Sequence, residues 1–375
     1  MWDVVIAAVC AVSLLVHIAS TLIAVHRCRP RQPLPPPPDA PKVTILRPVC
    51  GIDAFEALTL RATFELDYPS VQIIFCCERP SDPAAHLVRE LMREFPAADA
   101  RLLIGRAPRT QNPKLNNLLK AWVQVAGEWV IMADSNVALP KDYVQRLLAG
   151  WARRTGVLCA PPIGSIPTGF WAEIECAFLN GYQARWQYTA DSLGWGFAQG
   201  KTMMFRRRDL AAAGGLLALG SELAEDAAAT KLVRTMGLRA QLADAPFPQP
   251  LGTRAMRQVW DRQARWARLR RSTFPSLFLL EILSTSLLPL ASAAILAQHL
   301  HASASAAAMA VLGVWYGSEM LLAHAVGWHL SWRSPIAALV RDALLPALWT
   351  QAWLGSSFTW RGNQILPDRT LSQPG

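Results

Sequence analysis

Long apolar runs occupy the two ends of the chain, and short, evenly spaced ones fill the middle. Over residues 4–25 no side chain carries a fixed charge, a length that spans a bilayer core as a helix. The cluster His26-Arg27-Cys28-Arg29-Pro30-Arg31 follows at once, and basic residues beside a span favour the cytoplasmic side. A secretory leader would carry its basic residues before the apolar run, so residues 1–26 are expected to be an uncleaved anchor. Apolar runs at about 282–300, 303–326 and 343–360 predict about three C-terminal transmembrane helices within 275–361, followed by a tail over 362–375. Glu319 lies inside one run, while Glu281, Arg341 and Asp342 are expected to snorkel at the interface. Arg333 then falls inside and the C-terminus outside, although Arg361 and Arg369 weaken that side assignment.

Between the ends, short β-type runs begin at Val43, Gln72, Arg101 and Trp129, spaced 29, 29 and 28 residues apart. Helical patterns at 84–95 and 141–151 alternate with them, and one βαβ step takes about thirty residues. The expected fold is α/β over 43–253: a mostly parallel sheet with helices on both faces. Residues 27–42, basic and then Pro-rich, form a stiff linker. In such sheets ligands bind beyond the carboxyl ends of the strands. The residues found there are Arg47-Pro48, Glu78 to Asp82, Gly105 onward, and Asp134-Ser135-Asn136.

Composition narrows the class. Hydrophobic residues are 52% of the 375, and charged residues only 17% against about 25% in soluble proteins. That excludes a disordered chain and argues against an ordinary soluble enzyme. Seven cysteines without metal-site spacing point to reduced thiols and no structural zinc. The net charge of +10 gathers partly in 254–271, where seven arginines face one acid, Asp261. Beside a membrane span, such a Trp-bearing basic helix, bounded here as 254–274, suits anionic head groups; no nucleic-acid partner is expected.

Two strand ends carry acids. Asp82 precedes Pro83 and a helical pattern, so a helix cap is an even alternative to a ligand role. Asp134 and Asn136, two apart, offer oxygen ligands for a hard cation bridging phosphates. Glu225-Asp226 opens a helical run to Met236, again where acids commonly cap. Arg262, Arg265 and Trp266 share one face if their stretch is helical. Neither a G-x-G-x-x-G nor a P-loop pattern follows any strand.

In order, Asp82, Asp134-x-Asn136, Glu225-Asp226 and Arg262-x-x-Arg265-Trp266 resemble the D, D, D, (Q/R)xxRW signature of membrane-bound family 2-like glycosyltransferases. Finer elements resemble the ceramide glucosyltransferase family. Leu46-Arg47-Pro48-Val49-Cys50-Gly51-Ile52-Asp53 is similar to its LKPLKGVD opening, and Asn112-Pro113-Lys114-Leu115-Asn116-Asn117-Leu118 to its NPKxNNL element. Ala224-Glu225-Asp226 matches AED, and Arg265-Trp266-Ala267-Arg268-Leu269-Arg270 matches RWxxLR. The resemblance runs from about residue 4 to 361, and the Ala- and Arg-rich composition suggests a bacterial member.

The resemblance implies a glycosyltransferase-A-like fold that transfers glucose from UDP-glucose to the primary hydroxyl of ceramide with inversion. It gives Asp82 the nucleotide, and Asp134 the diphosphate through Mg²⁺ or Mn²⁺. The usual second Asp of that element is Asn136 here, which removes one anionic metal ligand. Asp226 is the implied general base, with Glu225 the second candidate. Arg262 and Arg265 would neutralise the diphosphate, and Trp266 would pack at the acceptor mouth. Lys114, Asn116 and Asn117 would bind phosphate or sugar hydroxyls, or else open a structural helix. The alternatives are transfer to another membrane lipid, a hopanoid or diacylglycerol, or a catalytically silent lipid-binding scaffold.

Overall fold

A computed structural model describes residues 1–355, 358–360 and 363–365. Nine strands in its α/β part are β1 (Val43–Pro48), β2 (Val71–Cys77), β3 (Asp99–Ile104), β4 (Trp129–Ala133), β5 (Thr155–Cys159), β6 (Pro162–Thr168), β7 (Thr202–Arg206), β8 (Arg239–Leu242) and β9 (Phe247–Thr253). Seven form one sheet in the order β3-β2-β1-β4-β7-β5-β8. All neighbours are parallel except β7, which runs antiparallel to both β4 and β5. β6 and β9 pair in parallel as a separate ribbon.

Its central strands are buried on both faces, as their continuous apolar runs require, while the edge strand β3 is partly exposed. Leu46, Ile74, Met132 and Met203 enter the core on one face. Their neighbours Ile45, Ile131 and Met204 enter another on the opposite face, because successive strand side chains alternate. Helix Pro83–Glu94 covers one flank with Val88 and Leu91.

Two helices, Trp2–Cys28 and Ala304–Val326, are long and apolar enough to cross a membrane. The run expected at 282–300 is broken instead. Helices Pro275–Leu280 and Leu287–His299 flank a tight turn, Glu281–Ser284, and this pair bends by 46°. The break is sealed by protein: the Ser286 N–H donates to Asp342 Oδ2 at 3.1 Å, and its hydroxyl lies 2.8 Å from the Tyr316 hydroxyl. The last expected run becomes helix Ser334–Leu354, which begins earlier and is not among the helices apolar enough to span.

The charges in these helices depart from the expected snorkelling. Arg341 and Asp342 are each only 1% exposed, and Arg341 grips both Glu319 oxygens at 2.9 and 3.0 Å. Carrying three charged groups into an apolar bundle is tolerable only when they pair with one another. Glu281 instead pairs with Arg270 at the foot of helix Met256–Thr273. Arg361 and Arg369 lie outside the described residues.

The anchor helix is tied to the α/β part. Arg27 pairs with Asp244 at 2.7 Å and Asp191 at 3.0 Å. The Pro-rich segment lies along the same body, where the Leu34 N–H donates to Asp142.

Candidate functional site

The site grows from the antiparallel β4–β7 junction. β4 ends at Ala133, paired with Thr202 at the start of β7, and the ladder continues one residue further, where the Asp134 N–H donates to the Lys201 carbonyl at 3.0 Å. Asp134 and Lys201 therefore face each other across a fixed register. Lys201 Nζ lies 2.9 Å from Asp134 Oδ2 and 2.9 Å from Asn136 Oδ1.

A second lysine closes the other side. Lys114 Nζ lies 2.6 Å from Asp134 Oδ1 and 2.6 Å from Glu225 Oε1, and donates to the Gly200 carbonyl at 2.7 Å. Those three contacts use all three of its N–H groups. Its helix, Pro113–Leu118, is set by Asn112, whose side chain accepts from the Leu115 N–H and donates to Glu225 Oε2 at 2.6 Å. Glu225 is thereby held at both oxygens.

Asp226 comes next, in the first turn of helix Glu225–Thr235. Its Oδ2 accepts from the Gly200 N–H at 3.0 Å, and its Oδ1 from the Ala227 N–H at 2.8 Å. Position 200 is close-packed: a Cβ there would sit 2.9 Å from Glu225 Oε1 and 3.2 Å from Asp226 Oδ2, so a side chain would press on both carboxylates. Burial, and then the adjacent Glu225 carboxylate, push the Asp226 carboxyl up to about 6, against the pull of Lys114. A carboxylate so poised takes a proton near neutral pH. For Asp134 burial also works upward, but Lys114 and Lys201 override it and hold the group well below its ordinary range.

The D-x-N element does not frame a divalent cation in this arrangement. Both Asp134 oxygens and Asn136 Oδ1 are taken by ammonium groups. Among the described residues no group of three His, Cys, Asp or Glu side chains is disposed to hold a metal ion.

The remaining expected residues divide. Asp82, two strands away beyond β2, caps helix Pro83–Glu94, and its Oδ1 accepts from both Ala84 and Gly51 N–H groups at 2.9 Å. Asn116 does not turn toward the cluster. Its oxygen accepts from Arg109 and Thr110, and its amide donates to the Thr110 carbonyl, so it braces that loop. Asn117 likewise donates to the Cys76 carbonyl at the end of β2.

Helix Met256–Thr273 carries Arg262, Arg265 and Trp266 on one side. Trp266 packs on Cys176, Leu179 and Leu251. Arg262 pairs with Glu175, a fully buried acid on helix Phe170–Ala177. Glu175 also faces Arg254, which grips Asp53 at 2.7 and 3.0 Å. The positive charge of Arg262 reaches Lys201: burial lowers the Lys201 ammonium first, Asp134 opposes, and Arg262 lowers it further.

Sequence reasoning passed over Lys201, Gly200 and Glu175. The first two precede a strand, where a Gly-Lys pair opening a β-run is the available signal. Glu175 lies in an apolar stretch, Phe170-Trp171-Ala172-Glu173-Ile174-Glu175-Cys176, where an acid gives no hint of its partner.

Comparison with known proteins places this geometry in context. The model of a family described as Glycosyl transferase family 21 matches residues 5–368. Ceramide glucosyltransferase 1 of Caenorhabditis elegans is 26% identical over 269 residues, and the match spans 71% of this chain but only 57% of that relative. The ceramide glucosyltransferase of Komagataella phaffii is 43% identical over 113 residues, 28% of this chain and 22% of that one. Among solved structures, a mannosyltransferase from Pyrobaculum calidifontis in complex with GDP-Man and Mn2+ is similar in fold, with a TM-score of 0.53, 17% identity and coverage of 93% of this chain and 98% of that one.

Proposed function

The chain belongs to glycosyl transferase family 21, and we propose that it transfers a sugar, glucose first among the candidates, from a UDP-sugar to the primary hydroxyl of ceramide. The observation that carries this reading is Asp226. It is a carboxylate raised to about 6 and held by two backbone N–H groups beside the Asp134 cluster.

In this reading Asp226 takes the proton of the acceptor hydroxyl as its oxygen attacks the anomeric carbon. The bond to the diphosphate breaks on the opposite face, and the electron pair leaves with UDP, so the configuration inverts. Arg262, held by Glu175, faces the leaving diphosphate, with Arg265 one turn along the same helix. Asp82 keeps Oδ2 for the nucleoside, since its cap uses Oδ1. Trp266 borders the acceptor mouth. The Mg²⁺ or Mn²⁺ expected from the D-x-N element enters no step here, because its donors hold lysines. Residues 43–253 are the catalytic unit on the cytoplasmic side, and the helix within 254–274 lies at the bilayer surface, where a two-chain lipid presents its hydroxyl without leaving the membrane.

The test is a product assay. Detergent-solubilised protein is incubated with ceramide and UDP-glucose, UDP-galactose or UDP-glucuronate in parallel, and the lipids are read by mass spectrometry. A glycosylceramide is expected, and the productive donor names the sugar. No product from any donor, in a preparation that binds UDP, would put a hopanoid or diacylglycerol acceptor first. Absence of UDP binding under any condition would favour the silent scaffold.

A further inference from the structure

We propose that Lys201 is the resident cation of the donor diphosphate subsite, standing where a D-x-D element would hold a divalent ion, so that UDP binds without metal. This rests on the UDP-sugar reading above, but not on the identity of the acceptor.

Four observations converge. Lys201 Nζ is equidistant, at 2.9 Å, from Asp134 Oδ2 and Asn136 Oδ1, the two atoms a bridging metal would use. Its backbone is fixed from both sides. The carbonyl accepts from Asp134, and the N–H donates to Gln199 Oε1 at 2.6 Å, so the ammonium is delivered by strand register and not by a wandering loop. An ammonium has three donors, and Asp134 and Asn136 take two. With 13% of the side chain exposed, the third is left for a phosphate oxygen at the rim of the site. Finally, Asn136 supplies an amide where a second carboxylate would add negative charge. One carboxylate already shared by two ammoniums is a poor host for a divalent cation, which would meet Lys114 and Lys201 at contact distance.

Lys201 also shares in neutralisation, since Lys114 divides its charge between Asp134 and Glu225 at 2.6 Å each. What neutralisation does not use is the third Lys201 donor, and the charge of Arg262 is felt at the same ammonium. A diphosphate would meet that spare donor and the Arg262 guanidinium together.

The experiment uses the full-length protein in detergent and measures UDP binding by calorimetry, once in EDTA and once in Mn²⁺. Wild type is expected to bind UDP in EDTA within about threefold of its affinity in Mn²⁺. Lys201→Ala should weaken binding in EDTA by about tenfold or more, the scale of one charged hydrogen bond, and recover part of it in Mn²⁺. Lys201→Arg, which keeps the charge, should bind in EDTA nearly as wild type does, which separates a lost contact from a misfolded variant. Wild-type binding that vanishes in EDTA and returns with Mn²⁺ would overturn the proposal, and so would a folded Lys201→Ala that binds in EDTA like wild type. Metal-free UDP binding in a protein that makes no glycosylceramide would leave Lys201 in this role and overturn only the acceptor.

Discussion

Two of the acid–base clusters, one between the membrane-side helices and one at the β4–β7 junction, differ in how far a ligand can reach them. Between the membrane-side helices, Glu319 gives both oxygens to Arg341, while Asp342 takes Arg341, the Ser286 N–H and the Tyr316 hydroxyl. Their side chains are 1–2% exposed. At the β4–β7 junction, Asp134, Lys114, Lys201 and Glu225 are 7–22% exposed, Lys201 keeps a donor, and Asp226 is raised to about 6. A cluster closed to solvent, with Arg185 buried 3.9 Å from Glu319 as its further cation, holds helices together. A cluster with an unsatisfied donor and a poised carboxylate at its rim can act on a ligand.

The comparison breaks most visibly at the sealed cluster. Glu319→Ala strands two guanidinium contacts in an apolar bundle, and should cost about 3–5 kcal/mol, read as a lower unfolding temperature in detergent. Glu319→Leu combined with Arg341→Met also takes the guanidinium from Asp342 and the nearest carboxylate from Arg185, so it should be no more stable than the single variant. If the single variant proves neutral, the cluster is not sealed.

Acid titration sharpens the other side. Because the Asp226 carboxyl is raised, its proton-accepting form is lost as pH falls through about 6, so kcat should drop about tenfold per unit below that point. Glu225→Gln removes the like charge that contributes to the rise, and should move the midpoint to lower pH. Sealed-cluster variants should leave the midpoint where it is. An unchanged midpoint in Glu225→Gln would separate the two carboxylates electrostatically.

The smallest effect is expected at Asp82. Asn caps a helix about as well as Asp, so Asp82→Asn should keep stability within about 0.5 kcal/mol. It should raise the donor KM a few-fold if Oδ2 meets the nucleoside. An unchanged KM would leave Asp82 a cap alone.

What was legible in the sequence follows from what is local. The 28–29-residue spacing located β1 to β4: β1, β2 and β4 are buried on both faces and write continuous apolar runs, while the edge strand β3 is placed by the spacing. Asp134 and Asp226 were legible because each opens a segment at a recognisable strand end or helix start. Strand direction left no such trace. Thr202–Arg206 reads like any apolar strand, yet runs antiparallel, and that reversal alone carries Lys201 to the site. The membrane-side charges misled for a similar reason: Arg341 and Asp342 near the end of an apolar run look like interface residues until Glu319, 22 positions earlier, is packed against them. Asn116 sits in a motif that invites a ligand, but its hydrogen bonds are local, to Arg109 and Thr110.

The account turns on Asp226 as the proton acceptor, and the direct measurement is the single-turnover rate of Asp226→Asn, followed by mass spectrometry of the lipid product, with UDP binding checked on the same preparation. Asn keeps one of the two acceptors, its oxygen toward the Gly200 N–H and its amide toward Ala227, so binding should hold within about threefold while the rate falls by about 10²–10⁴-fold. An Asp226→Asn protein that forms product at the wild-type rate would contradict the account.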